Sequence, residues 1–152
     1  MKSLSIFIVS SMFTISCSMQ IKNDSGDLPL RGTWRLLTGT LIEKGDTAIT
    51  DYTKNTSFIK IINDSHFAFF QHDLKNGKDS TPVFSSGAGK YSLHDSTYTE
   101  HLEYCSAREW EGHDFSFTVE IQNDTLTQRG IEKIDSLGIN RLNIEKYVRL
   151  KP

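Results

Sequence analysis

The feature that most constrains the fold is a succession of short strand-like runs, divided by turn signals, from Gly32 to the C-terminus. The clearest run is 115–121, in which Phe, Phe, Val and Ile alternate with Ser, Thr and Glu. It ends at Asn123-Asp124, a pair that accepts the left-handed φ of a tight hairpin turn. Roughly eight to ten such runs without an amphipathic helix predict an all-β chain. Because hairpin-length links join successive runs and closure removes exposed sheet edges, we expect an up-and-down antiparallel β-barrel.

The N-terminus carries the features of an export signal. Lys2 precedes an apolar run, 4–15, that is shorter than the roughly 20 residues a membrane-spanning helix needs. The run ends at Ser16-Cys17, which resembles the lipobox of bacterial lipoproteins, with Thr14 where that motif usually has leucine. The resemblance implies that Cys17 becomes the acylated first residue of the mature chain. An ordinary signal peptide with an incidental cysteine is the alternative.

These features divide the chain into three segments. Residues 1–16 are the predicted signal peptide. Residues 17–31 are the predicted lipidated N-terminus and flexible tether, because Asn, Asp, Ser, Gly and Pro occur there without a hydrophobic period. Residues 32–152 are the predicted barrel domain. We therefore expect a lipoprotein of a bacterial cell envelope, attached to the membrane through its N-terminal lipid, on the periplasmic or the outer face.

Charge and cysteine content narrow the classes of partner. The sequence has 17 Lys and Arg against 19 Asp and Glu, without a basic stripe, so nucleic acid is not an expected partner. The two cysteines are Cys17 and Cys105. If Cys17 carries lipid, Cys105 has no partner within the domain, and the core must stabilise the fold without a disulfide. We also predict no cofactor.

Both ends of the predicted domain resemble the lipocalin and wider calycin pattern. The sequence Gly-Thr-Trp at 32–34 opens the first run, and Arg149 lies in the last. In that family, a Gly-x-Trp near the start packs beneath an Arg or Lys of the final strand. The resemblance implies that Trp34 and Arg149 are structural residues that close one barrel end. Three later runs resemble short bacterial lipocalin-like proteins of uncharacterised function: His66–Phe69, Gly87–Tyr91 and Tyr98–Glu103.

Glu100 is the principal candidate for ligand binding. In the run 97–105 it shares a face with Tyr98, Leu102 and Tyr104, which we interpret as the inner face, whereas Cys105 falls on the outer one. A lone carboxylate inside a barrel is costly unless it is paired or protonated. Because small barrels are either filled by side chains or hold one small ligand, a polar interior group favours a ligand. The alternative is that Glu100 lies near a barrel mouth and contacts water.

Other side chains are predicted to complete the ligand site around Glu100. A histidine of the run 66–72 would extend its polar cluster, and aromatic residues would supply apolar surface. The predicted set comprises Tyr98, Tyr104, His66, His72, Phe70, Phe115 and Tyr147. No metal site is predicted, because the histidines lack metal-ligand spacing and His66 and His72 lie roughly 20 Å apart along one strand.

The last strand has two possible orientations. Hydrophobicity alone would turn Leu142, Ile144 and Val148 inward, whereas the lipocalin resemblance turns Tyr147 and Arg149 inward. We follow the resemblance.

Three functions are compatible with these residues. The favoured hypothesis is a lipid-anchored lipocalin-like protein that binds a small hydrophobic or amphiphilic molecule inside its barrel. A filled barrel that acts as an envelope interaction or structural protein is the second hypothesis. The third is an enzyme that uses Glu100 as an acid or base, although the sequence offers no second catalytic group at a fixed distance from it. The volume of the interior separates these possibilities.

Overall fold

The computed structural model describes residues 29–78 and 80–151, in which nine strands and two short 3-10 turns, Arg108–Trp110 and Asp135–Leu137, follow one another. The strands are β1 (Gly32–Glu43), β2 (Asp46–Asp51), β3 (Thr56–Ile62), β4 (His66–Asp73), β5 (Phe84–His94), β6 (Thr97–Cys105), β7 (His113–Gln122), β8 (Thr125–Ile134) and β9 (Ile139–Arg149). The predicted signal peptide, Cys17 and most of the predicted tether lie outside the described residues. Within them, no helix has the length and apolarity needed to cross a bilayer.

The strands form a closed barrel in which every pairing is antiparallel. From β3 to β9 each strand pairs with the next, and β1 pairs with β3 along one edge and with β9 along the other. β1 and β3–β9 are therefore the eight strands that form the barrel wall. β2 is an additional strand that forms a hairpin with the second half of β1, from Thr38 to Glu43. The prediction of an all-β, up-and-down antiparallel barrel is confirmed.

Two kinds of tight turn connect the strands. Lys44 and Gly45 between β1 and β2, and Asn123 and Asp124 between β7 and β8, all have positive φ, which gives hairpin turns the twist of the flanking strands. The turn between β3 and β4 differs, because the side chain of Asn63 accepts hydrogen bonds from the backbone N–H groups of Ser65, in the turn, and His66, at the start of β4, at 2.9 and 2.8 Å.

One end of the barrel is closed by packing around Trp34. The indole is fully buried, and its Nε1 donates a hydrogen bond to the Leu30 carbonyl at 2.8 Å. The Arg149 guanidinium lies 4.0 Å from the indole ring centroid and donates hydrogen bonds to the carbonyls of Pro29 and Arg31. The segment before β1 is thereby held across the barrel end, with Leu30 in the core.

A β-bulge in β6 changes which side chains face inward. The pairing with β5 shifts between Ala88 and Gly89, so that Ala88 opposes Tyr104 whereas Gly89 opposes Leu102. The extra residue reverses the alternation that follows it. Tyr104 is consequently 66% exposed on the outer face, and Cys105 lines the interior. The prediction that Tyr104 faces inward and Cys105 outward is therefore wrong, because simple alternation does not include the bulge.

Candidate functional site

The barrel contains a cavity of about 260 Å³ toward the end opposite Trp34. This volume is just below the roughly 300–1,000 Å³ of drug-sized ligand sites. Aromatic side chains form much of its wall: Tyr52, Phe58, Phe69, Trp110, Phe115 and Phe117. Polar side chains form its floor, next to the buried core: Lys60, Glu100, Gln128, Glu145 and Tyr147. The cavity thus has an apolar wall and a charged floor.

Lys60 is the centre of the floor. Its side chain projects inward from β3 and is only 3% exposed. The Nζ atom donates hydrogen bonds to Glu100 Oε1 at 2.7 Å and to Gln128 Oε1 at 3.1 Å. Glu145 Oε2 is 4.0 Å from the same nitrogen. Three strands, β6, β8 and β9, therefore each supply one oxygen to the ammonium group, which keeps a buried cation paired.

Aromatic rings surround the same ammonium group. Lys60 Nζ lies 5.3 Å from the ring centroid of Tyr147 and 5.9 Å from those of Phe67 and Tyr98. The Tyr147 hydroxyl donates a hydrogen bond to Glu145 Oε2 at 2.7 Å. Ring faces attract cations, and the desolvated interior strengthens that attraction. The rings and the carboxylates thus hold Lys60 in one position.

Burial shifts the pKa values of three side chains in and next to the floor. It raises the pKa of Glu100 above its ordinary value, against the opposing effect of the Lys60 ammonium. Burial also raises the pKa of Tyr98 and that of Tyr147, so both phenols stay protonated at neutral pH. Tyr147 can consequently donate to Glu145. The Tyr98 hydroxyl is buried without a hydrogen-bond partner in the described part of the chain.

A second polar cluster lies at the cavity mouth. Glu132 accepts hydrogen bonds from Arg141 Nε at 2.7 Å and from Asn143 Nδ2 at 2.8 Å. The Arg141 guanidinium also lies 5.2 Å from the ring centroid of Trp110, and that indole is 5.6 Å from the ring of Phe115. The turn between β6 and β7 therefore places Trp110 at the mouth, where it packs against an arginine whose charge is already balanced.

Some of the predicted site residues converge on this cavity. Glu100, Phe115 and Tyr147 line it, and Glu100 is 7% exposed. Tyr98 is fully buried in the core on the same face of β6 as Glu100, but it is not among the residues of the cavity wall. The inward orientation of β9 that follows from the lipocalin resemblance agrees with the placement of Tyr147 in the cavity.

The predicted residues of β4 do not reach the cavity. Phe67 is buried and Phe69 lines the cavity wall, where its ring stacks on Phe58 with centroids 5.7 Å apart. Alternation then turns His66, Phe70 and His72 to the outer face, where Phe70 is 41% exposed. Their predicted position inside the barrel is wrong. Both faces of this run carry phenylalanine, so composition alone does not distinguish them.

Most of the polar residues of the cavity were not predicted from the sequence. The missed residues are Lys60, Gln128, Glu132, Arg141, Asn143 and Glu145. Lys60 had a usable signal, because it lies midway between Phe58 and Ile62, which both face inward. Its partners come from strands far away in sequence, and no local pattern joins them. Within the described residues, no three His, Cys, Asp or Glu side chains are grouped as metal ligands.

Comparisons with known proteins do not indicate a function. No protein-family model matches the sequence, and no curated protein matches it. Among solved structures, the chain is similar to the crystal structure of an uncharacterized protein from Bacteroides eggerthii DSM 20697. The TM-score is 0.46 at 12% sequence identity, and the match covers 79% of this chain and 98% of that chain.

Proposed function

We propose that this protein is a calycin-like binding protein that holds a small amphiphilic molecule in its barrel. The observation that carries this proposal is a cavity of about 260 Å³ with an aromatic wall and a charged floor. An amphiphile would place its apolar part against Phe58, Phe69 and Phe115 and its polar end against Lys60 and Glu100. An open cavity of this size favours a binding role over that of a filled structural barrel.

The calycin relationship is supported by the barrel and by its closed end. A Gly-x-Trp opens β1, and an arginine of the last strand packs on that tryptophan, with 4.0 Å between the guanidinium carbon and the ring centroid. The resemblance to lipocalin-like barrels implies such a pair at one barrel end and a hollow within the barrel. In this chain the cavity lies toward the end opposite Trp34.

Binding is tested with α-naphthylamine, an uncharged fluorescent probe whose emission shifts to the blue in apolar surroundings. We expect saturable binding with one probe per chain. Cys105→Phe should weaken it about tenfold or more, because residue 105 lines the cavity and the larger ring would occupy it. Tyr104→Phe is the matched control, because Tyr104 is next to Cys105 in the sequence but its side chain lies on the outer face. Equal probe binding by both variants, or none by the wild type, would refute the proposal.

We further propose that the protein is anchored in a bacterial cell envelope by lipid on Cys17. The apolar run before Ser16-Cys17 and the tether-like segment after it support this location. After cell fractionation, the wild-type chain should sediment with membranes, and Cys17→Ala should not. Recovery of the wild-type chain in the soluble fraction would contradict the anchor.

A further inference from the structure

The floor of the cavity carries more negative than positive charge, with Glu100 and Glu145 against Lys60. We propose that the cavity therefore prefers a ligand whose polar end donates hydrogen bonds, above all a primary ammonium group, and disfavours carboxylates. This inference rests on the proposed function and names the chemical class of its ligand. It is carried by the charges, the hydrogen bonds and the ring faces of the cavity.

The lining residues have an excess of negative charge. Lys60 and Arg141 are the two cations of the cavity lining, and its three carboxylates are Glu100, Glu132 and Glu145. Arg141 is paired with Glu132 at the mouth, with 2.7 Å between Nε and Oε2. The floor then has one ammonium for two carboxylates, and a ligand ammonium would balance the charge.

The Lys60 ammonium donates two hydrogen bonds to oxygens of the floor and makes a longer ionic contact with a third. An ammonium group has three N–H donors. Glu100, Gln128 and Glu145 supply oxygens at 2.7, 3.1 and 4.0 Å from Nζ. The contact with Glu145 is an ion pair and not a hydrogen bond, so one N–H remains. A ligand carboxylate brought to it would nevertheless add a third negative charge next to Glu100 and Glu145, and this repulsion opposes the binding of an anion.

The Glu145 carboxylate has an oxygen available to a ligand. Glu100 receives its hydrogen bond from Lys60 at Oε1, and Glu145 receives one from Tyr147 at Oε2. Within the described residues, Glu145 Oε1 accepts no hydrogen bond from the protein. Because an ionised carboxylate only accepts hydrogen bonds, this oxygen requires a donor, which an ammonium, an alcohol or an amide N–H supplies.

The wall adds to the same preference. The rings of Phe58 and Phe69 are stacked, with centroids 5.7 Å apart, and those of Trp110 and Phe115 are 5.6 Å apart. The negative face of an aromatic ring attracts a cation and repels an anion. A ligand that carries its positive charge next to a small apolar group would therefore match both the wall and the floor.

The proposal is tested with three probes of one shape: α-naphthylmethylamine, α-naphthylmethanol and α-naphthoic acid. In isothermal titration calorimetry at pH 7 and low salt, the amine should bind at least about tenfold more tightly than the acid, and the alcohol should bind with an intermediate affinity. Glu145→Gln should reduce the amine-to-acid ratio of affinities by about tenfold. Glu120→Gln removes the same charge from the exposed outer face of β7 and should leave that ratio unchanged.

The outcomes separate this inference from the proposed function. Tightest binding of the acid, or a ratio that Glu145→Gln and Glu120→Gln change equally, would overturn the donor preference while the binding function stood. If none of these three probes binds, and α-naphthylamine does not bind either, the proposed function fails and the inference fails with it.

Discussion

Replacement of Lys60 by methionine tests the energetic role of the cavity floor. Methionine keeps most of the apolar stem and removes the ammonium group, so that Glu100 and Glu145 lose their shared cation. At distances of 2.7 and 4.0 Å, the lost attractions are roughly 6 and 4 kcal/mol for an effective dielectric constant of about 20. Desolvation of the ammonium offsets much of this gain in the wild type, and breaking a buried pair typically costs about 3–5 kcal/mol.

Protonation of Glu100 sets a ceiling on the cost of its unpaired charge. A glutamate with an ordinary pKa of 4.5 takes up a proton at pH 7 at a cost of about 3.4 kcal/mol, since one pKa unit corresponds to about 1.36 kcal/mol. At pH 5 the same uptake costs only about 0.7 kcal/mol. We therefore expect Lys60→Met to lower the free energy of unfolding by about 3–4 kcal/mol at pH 7 and by clearly less at pH 5.

Urea denaturation followed by tryptophan fluorescence measures both values, provided that the m-value is unchanged. The double variant Lys60→Met/Glu100→Gln is the decisive control. It removes the uncompensated charge together with the cation, and it should recover most of the lost stability. A loss below about 1 kcal/mol at pH 7 for Lys60→Met, or a double variant no more stable than the single one, would contradict the role of Lys60 in compensating the charge of Glu100.

Three further predictions concern single residues. Thermal melting should show that Trp34→Ala lowers the free energy of unfolding by about 3–5 kcal/mol and Arg149→Ala by about 1–2 kcal/mol. A larger loss for Arg149→Ala than for Trp34→Ala would contradict the packing at the closed end. Burial raises the pKa of Glu100, so its contribution to stability is complete below about pH 4.5 and declines as pH rises through the folded pKa. In urea titrations, the free energy of unfolding of Glu100→Gln relative to that of the wild type should therefore increase as pH rises from 4.5 to 8. A decrease over that range would contradict the raised pKa of Glu100. Gly89→Ala should lower the melting temperature by several degrees, because its Cβ would lie 1.9 Å from the His101 carbonyl oxygen; an unchanged melting point would exclude this clash.

The class of fold was predictable from the sequence, because strand alternation and turn chemistry are local. The alternation around Phe115 and the Asn123-Asp124 turn appear in the structure as β7 and its hairpin. The inward position of Glu100 was also accessible from its spacing to Tyr98 and Leu102, since no bulge interrupts that part of β6. The partnership of Trp34 with Arg149 came from family resemblance and not from any local pattern.

The lining of the cavity, in contrast, depended on contacts between strands and could not be predicted from local patterns. A bulge exchanged the faces of Tyr104 and Cys105, because one extra residue reverses every later side chain of the strand. The faces of β4 depended on the packing of Phe69 against Phe58, a residue of another strand. Lys60 contacts Glu100, Gln128 and Glu145 only once the barrel has closed. These residues are far apart in the sequence, and the hydrogen-bond register of all the strands together brings them into contact.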